Sequence, residues 1–468
     1  MKRNVLLVAT SMIIAIAVLA ALRATAWQLS SREGGAPTLA PLLERVTPAV
    51  VNIAVVGTAA DAANPLLDDP FLRRFFEGPN APAIPPSAPR QSIGSGVIID
   101  GNERLVVTNH HVIQGADSII VTLNDRREYT AALVGSDAGT DIALLKVMAD
   151  DTPFTEIPMG DSNAVAVGDY VVAIGNPFGL GQTATAGIVS AMGRSGVNIE
   201  SFEDFIQTDA SINPGNSGGA LVDINGRLLG VNTAILSGTG GSIGIGFAIP
   251  SNMVREVVEQ LLQHGDVQRG RIGIAIQDAT PGLAQALELT TNRGALVTQV
   301  EPGSPADQAG IQAGDVVVAI DNQSIDSSAD VRNTVGLVRA GESVAVTALR
   351  DGDRRTVRTV VAPDSETGGG AATRAADPHS VSLLAGATIM ELPRDHPAYG
   401  RATGVWVSAV APGSAAARFG LRADDVITGV NRGSIDSVTA LTAALNNAKP
   451  PVALQVQREG RSLFLLVH

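Results

Sequence analysis

The chain is 468 residues long, 45% hydrophobic, and carries 33 basic against 46 acidic residues for a net charge of -13. Such a length suggests about three domains, and the acidic balance argues against a nucleic-acid binder, because most of the surface would repel phosphates. The absence of cysteine excludes thiolate catalysis, cysteine zinc sites and disulfides, and 50 glycines with 3% aromatics suggest many short strands and turns.

Residues 1–30 read as a targeting segment. Lys2 and Arg3 precede an apolar run from Val5 to Leu22, and Ala24-Thr25-Ala26 follows, which is a charged region, a hydrophobic region and a small-residue cleavage site. The run is 18 residues, just long enough for a membrane span, and Arg23 crowds the cut. We read the segment as a cleaved signal peptide, with an N-terminal inner-membrane anchor as the alternative; either way the chain is exported.

A first domain is expected over 38–265. It opens with a short helix and a Val/Ile-rich strand between Leu39 and Val56. Seven prolines between Gly57 and Arg90 forbid central strands and helix interiors, so 57–90 is a loop insertion. Phe71, Phe75 and Phe76 inside it fit either a loop folded on its own domain or a lid or subunit contact. From Ser92 the chain is a succession of short apolar runs closed by turn residues, among them GSGVIID, LVVTNHHVI, SIIVTL, DIALLKV and TATAGIVSAM. That spacing indicates an antiparallel barrel or sandwich.

The chemistry candidates lie in this segment. In D-A-S-I-N-P-G-N-S-G-G-A-L, from Asp209 to Leu221, the turn formers Gly215, Asn216 and Gly218 surround the Ser217 hydroxyl. The backbone N–H groups of Gly215, Asn216 and Ser217 can line an oxyanion hole. A serine needs a general base and a carboxylate to orient that base. Taken singly, a histidine at a strand end is a packing residue and an aspartate before a strand is a turn cap. Together they follow the order His, Asp, Ser of the chymotrypsin class.

The motifs T-N-H-H-V-I, T-D-I-A-L-L-K-V and N-P-G-N-S-G-G-A-L resemble the triad segments of the HtrA proteases, also called the Deg or Do family, and the resemblance runs from about Leu39 to the C-terminus. It implies His111 as base, with His110 at a position where the family varies, Asp141 as orienting acid and Ser217 as nucleophile. It also implies a two-barrel chymotrypsin-like domain that needs no metal or cofactor and closes with a helix at Ser251 to His264, where Ser is the N-cap and Gly follows the end. By the same likeness Ile212, Ile235 and Leu236 line the primary specificity pocket, whose apolar walls favour cleavage after small or medium aliphatic residues. Met192 to Gly196, with Arg194, and the Gly-rich Ser237 to Gly246 resemble the family's activity-switching loops; plain surface turns are the alternative.

Beyond the helix the sequence repeats: G-A-L-V-T-Q-V-E-P-G-S-P from Gly294 returns as G-V-W-V-S-A-V-A-P-G-S-A from Gly404. Each copy looks like a PDZ domain, expected at 268–362 and 381–468. Such modules add an extended peptide as a strand and hold its carboxylate with loop N–H groups. Ile272, Gly273 and Ile274 match that loop in the first copy. Leu384-Ala385-Gly386-Ala387 is a weaker match in the second, so a scaffold role is as open there. Residues 363–380 read as a flexible linker that lets the modules move independently.

The expected fold class is mainly β, a chymotrypsin-like double β-barrel protease domain followed by two PDZ domains. The expected function is ATP-independent serine endoproteolysis of unfolded or misfolded exported proteins in envelope quality control, with chaperone-like binding. Its partners would be unfolded substrates and peptide C-termini, not nucleic acid, with a membrane contact only if the N-terminal segment is retained. Homotrimers or multiples of trimers and a periplasmic location follow from the resemblance. The competing reading is a chaperone or peptide-binding scaffold in which the PDZ copies do the work; the intact triad motifs favour the enzyme.

Overall fold

A computed structural model describes residues 38–57, 90–150, 153–176, 182–195, 202–213, 215–235, 242–321, 323–363 and 384–467. The leader, the body of the Pro-rich insertion and the linker lie outside these residues. The chain divides into two compact units, one comprising Met1–Ser201 and Phe205–Asp266, the other Phe202–Asp204 and Val267–His468.

In the first unit α1 (Ala40–Val46) leads into β1 (Val50–Gly57). The strands β2 (Arg90–Asp100), β3 (Leu105–Thr108), β4 (Ser118–Thr122), β5 (Glu128–Asp137) and β6 (Ile142–Val147) follow, with the one-turn helix α2 (His110–Ile113) after β3. They close a barrel in the order β1-β2-β3-β6-β5-β4. A second barrel comprises β7 (Tyr170–Gly175), β8 (Thr183–Arg194), β9 (Phe205–Thr208), β10 (Ala220–Asp223), β11 (Leu228–Ile235) and β12 (Gly246–Pro250). Its order, β10-β11-β12-β9-β8-β7, is the same neighbour pattern traversed again. Closure removes the edges that open sheets expose. One hydrophobic cluster runs from Val50, Ile53, Val97 and Leu145 of the first barrel to Val172, Ile174, Ala220 and Leu228 of the second, so the two barrels share a continuous apolar core.

The helix α3 spans Ser251–His264 and buries Met253, Val254, Val257, Val258 and Leu261. Gly265, at φ 79°, ends it in the left-handed conformation that glycine adopts without penalty. The expected serine cap is corrected: Pro250 occupies the N-cap with no side-chain cap, and the Ser251 hydroxyl donates instead to the Gly160 carbonyl at 3.2 Å, tying the helix to the barrel.

The second unit holds the repeat. Its first copy has β13 (Gly270–Arg271), β14 (Ile274–Asp278), α4 (Pro281–Ala286), β15 (Ala295–Val300), α5 (Pro305–Gln308) and β16 (Val316–Ile320). It continues through β17 (Gln323–Ser324), α6 (Ser328–Leu337), β18 (Ser343–Arg350), β19 (Asp353–Val360) and β20 (Ala362–Pro363). The second copy has β21 (Ala387–Glu391), β22 (Val405–Val410), α7 (Ala415–Arg418), β23 (Val426–Val430), β24 (Gly433–Ser434), α8 (Val438–Asn447), β25 (Val452–Arg458) and β26 (Arg461–Val467). The sheets run β14-β15-β16-β18-β19 and β21-β22-β23-β25-β26, with β17 on β16 and β24 on β23. Each copy buries one ion pair at the equivalent place, Asp315 with Arg350 at 2.6 Å and Asp425 with Arg458 at 2.7 Å.

The two copies touch each other directly, beyond the expected linker. Pro363 pairs with Gly270, so the linker does not begin there. Leu283 and Leu287 of α4 and its C-cap share a core with Leu296 and Val316 of the first sheet and Ala453 and Phe464 of the second. β26 is an edge strand, and the hairpin turn at Glu459 and Gly460 sets a register in which Ser462 and Phe464 direct their backbone polar groups to the open side. All four groups are met by the first copy. The N–H of Phe464 donates to Gln277 Oε1 at 2.9 Å and Gln277 Nε2 donates back to its carbonyl at 3.0 Å. The N–H of Ser462 donates to Gln299 Oε1 at 3.1 Å, and the Thr298 hydroxyl donates to its carbonyl at 2.7 Å. The linker composition speaks only for the linker; apolar residues spaced by two on the outer faces join the modules.

Residues Phe202–Asp204 pack within this unit. The Arg269 guanidinium lies 3.9 Å above the Phe202 ring, and Asn333 Nδ2 donates to the Glu203 carbonyl at 2.8 Å. Burial, with the Asp330 carboxylate adding to it, pushes the Asp204 carboxyl up to about 7.

Candidate active site

Three segments converge where the barrels meet. β3 ends at Thr108, and Asn109 turns the chain into α2, which carries His110 and His111 on its first turn. Asp141 precedes β6 with φ 57°, a left-handed conformation that is uncommon outside glycine. That geometry lets the residue hold the N-terminal turn of α2 with both its carbonyl and its carboxylate. Its carbonyl accepts the His110 N–H at 3.2 Å and Asn109 Nδ2 at 3.0 Å. Its carboxylate accepts the His111 N–H at 3.0 Å, and His111 Nδ1–H at 3.0 Å on Oδ1 and 2.8 Å on Oδ2. Asp141 is 2% exposed, so the carboxylate is satisfied by protein donors rather than water.

Of the two adjacent histidines, the structure brings His111 to Asp141, whereas His110 Nδ1 lies 3.1 Å from the Ser136 hydroxyl. With Nδ1–H committed to the carboxylate, His111 keeps Nε2 as the basic nitrogen.

The carboxylate has a further partner. The Thr233 hydroxyl donates to Asp141 Oδ2 at 2.7 Å, and the Ser217 hydroxyl donates to the Thr233 carbonyl at 3.1 Å. One residue of β11 thus touches both the serine and the acid. No local spacing in the sequence signals a partnership across 92 residues.

Around Ser217 the turn is tight. Gly215 has φ 95° and Gly218 φ 80°. The Asn216 N–H donates to the Asn213 carbonyl at 2.9 Å, and Asn216 is 2% exposed. The expectation that the Asn216 N–H lines an oxyanion hole is corrected, because that N–H is spent within the turn; the N–H groups of Gly215 and Ser217 are the candidates left. Pro214 lies outside the described residues. Ser95 of β2, unmarked by the sequence reading, donates its N–H to the Ser217 carbonyl at 2.8 Å and its hydroxyl to the Gly215 carbonyl at 2.6 Å. Its glycine flanks in G-S-G are the signal that was available, since glycines inside a strand mark a close backbone approach.

The remaining candidates are less gathered. Ile212 is 1% exposed and packs in the second-barrel core, where a side chain on Gly246 would collide with it. Ile235 ends β11, and its side chain, like all of Leu236, lies outside the described residues. Arg194 is exposed at the end of β8 and its Nε donates to Gln207 Oε1 at 3.0 Å. In the first PDZ copy the carbonyls of Ile272 and Gly273 accept the N–H groups of Ala306 and Glu301, both at 2.9 Å. Peptide planarity then turns the N–H groups of Gly273 and Ile274 the opposite way, beside β14. The second copy repeats the arrangement: the Ala385 and Gly386 carbonyls accept from Ala416 at 3.2 Å and Ala411 at 2.8 Å, and a side chain on Gly273 or Gly386 would strike Ser304 or Ser414.

Comparison with known proteins agrees with this architecture. Residues 94–231 match the trypsin-like peptidase domain, and 270–361 and 384–457 each match the PDZ domain. The chain is 44% identical over 431 residues to the periplasmic pH-dependent serine endoprotease DegQ of Escherichia coli K12, covering 92% of this chain and 91% of that protein. It is 41% identical over 475 residues to the periplasmic serine endoprotease DegP of the same strain, with 96% of each covered. Among solved structures, the HtrA-type protease AlgW with tripeptide superposes with a TM-score of 0.55 at 40% identity, covering 71% of this chain and 99% of that one. The same protease with decapeptide gives 0.53 at 42%, covering 70% and 100%.

Proposed function

Because the chain belongs to the HtrA family of serine endoproteases, we propose that its Ser217 attacks the carbonyl of an unfolded exported protein while His111 shuttles the proton and Asp141 orients His111. The chain is a serine endopeptidase of the periplasmic type, and its PDZ modules take peptides. The observation that carries the assignment of roles is the hydrogen-bonded run from His111 through Asp141 and Thr233 to Ser217.

Attack requires the Ser217 hydroxyl to leave the Thr233 carbonyl for His111 Nε2. The imidazole then holds the proton, with the buried carboxylate stabilising its positive charge, and returns it to the leaving amine. The N–H groups of Gly215 and Ser217 stabilise the tetrahedral oxyanion. Ile212, Ile235 and Leu236 bias the site towards small aliphatic residues. Arg194, at the end of β8, acts in setting the active state, and the loops at Gly273 and Gly386 hold substrate termini. Trimeric assembly, chaperone-like retention of substrates and the fate of the leader belong to the same proposal.

The test is casein turnover by the wild type and by Ser217→Ala. Loss of the nucleophile is expected to cost on the order of 10^4-fold or more in rate. Equal rates would refute the assignment; suppression of aggregation by the inert variant would support the chaperone-like role.

A further inference from the structure

The turn that carries Ser217 is docked on β2 with almost nothing between the two backbones. A side chain on Gly218 would stand 2.1 Å from the Ser95 carbonyl oxygen and 2.4 Å from Thr108 Oγ1, and one on Gly94 would stand 2.7 Å from Val112. Ser95, fully buried, is the residue interposed. Its hydroxyl donates to the Gly215 carbonyl at 2.6 Å and accepts the Asn176 N–H at 2.8 Å, while its N–H donates to the Ser217 carbonyl at 2.8 Å. Its own carbonyl accepts the Thr108 hydroxyl at 2.7 Å.

These contacts fix successive peptide planes. The plane between residues 215 and 216 is held at one end by the Ser95 hydroxyl and at the other by the Asn213 carbonyl. The plane between 217 and 218 is held by the Ser95 N–H and the Asn232 carbonyl, the latter at 2.8 Å from the Gly218 N–H. Between them the Asn216 carbonyl accepts the Gly219 N–H at 2.9 Å, which turns the Ser217 N–H the opposite way. The weak point is Gly215, because a glycine can rotate its flanking peptides at little steric cost. The Ser95 hydroxyl closes that freedom for the peptide that follows Gly215.

We propose that Ser95 is a positioning residue that clamps the 215–216 and 217–218 peptides on either side of the 216–217 plane, so that the Ser217 N–H carried by that plane is held towards the oxyanion. The inference rests on Ser217 as nucleophile and adds a residue of the first barrel that sets the hole without touching substrate. Loss of its hydroxyl takes this donor from the part-buried Gly215 carbonyl and lets the 215–216 plane rotate to find another partner. Stabilisation of the tetrahedral oxygen is lost, and ground-state binding is kept.

The experiment compares wild type, Ser95→Ala, Ser95→Cys and Ser217→Ala on a fluorogenic peptide, with inhibition by a peptidyl boronic acid, which forms a tetrahedral adduct on the nucleophile. For Ser95→Ala the expected result is a fall in kcat of roughly 10- to 100-fold, below or at the lower end of the effect of deleting a hole donor. KM is expected to be unchanged and boronate inhibition to weaken by the same factor. Ser95→Cys, of similar shape with a weaker donor, is expected to fall between, and it is the deciding variant if Ser95→Ala does not fold. A kcat within 2-fold of wild type in the deciding variant, or a fall in kcat with unchanged boronate affinity, overturns the inference. Peptide cleavage by Ser217→Ala at the wild-type rate instead overturns the nucleophile assignment.

Discussion

Replacement of Thr233 by valine isolates one hydrogen bond of the site. The side chain is 4% exposed and valine conserves its shape, so packing is nearly kept while the 2.7 Å bond to Asp141 Oδ2 is removed. That bond is one of three kinds of donor on the carboxylate, beside the His111 N–H and Nδ1–H. A hydrogen bond to a charged group contributes about 1.5–3 kcal/mol, and every 1.36 kcal/mol off transition-state stabilisation is a factor of ten in rate. Part of the loss falls on the folded state, because a buried carboxylate keeps one fewer donor. The rest falls on the transition state, where that carboxylate must hold an imidazolium in line with Ser217. An even division gives a fall of about 4- to 12-fold in kcat/KM and a drop of a few degrees in Tm, at about 2–4 °C per kcal/mol for a unit of this size. Steady-state kinetics with a fluorogenic peptide, together with a thermal melt, measures both. Thr233→Ser, which restores the donor, is expected to recover most of the rate. If Thr233→Val keeps kcat/KM within 2-fold and melts with wild type, the hydroxyl is not part of the working network and the reasoning fails.

Two further outcomes concern the second unit. Gln277→Ala strips the Phe464 N–H and carbonyl of their partners, so hydrogen exchange at the Phe464 amide should accelerate by roughly 10-fold or more, while the Leu463 and Leu465 amides, turned towards β25, stay protected. Uniform protection along β26 in the variant would show that the clasp carries no weight. Asp204, raised to about 7 by burial and by Asp330, binds its proton more tightly folded than unfolded. Its contribution to stability is therefore fully present below its ordinary value near 3.8 and is lost as the pH rises through about 7. Asp204→Asn is expected to be more stable than wild type at pH 8 and to lose that advantage by pH 4, measured by denaturant unfolding followed through the buried Trp406. An advantage independent of pH would contradict this account.

Much of the architecture was legible because its signals are local. Short apolar runs closed by turns specify strands one at a time, and the internal repeat announces two like modules whatever their contacts. The helix at Ser251–His264 was read to its ends from its apolar spacing and Gly265, yet its cap was misread, because Ser251 had a better partner in the Gly160 carbonyl. The order His111, Asp141, Ser217 identified the triad candidates with no knowledge of distance. Which of two adjacent histidines meets Asp141 was taken from resemblance; in the structure the left-handed turn at Asp141 settles it.

The sequence by itself determined which residues can do chemistry and which segments alternate between core and surface, since side-chain type and periodicity are properties of the chain. Tertiary structure decided which of those groups meet. Thr233 reaches Asp141 across 92 residues, Ser95 crosses from one barrel to the turn of the other, and Gln277 covers an edge strand of the next module. Each contact exists because a buried donor or acceptor must find a partner once water is excluded, and that partner is chosen by the folded geometry, not by separation along the chain.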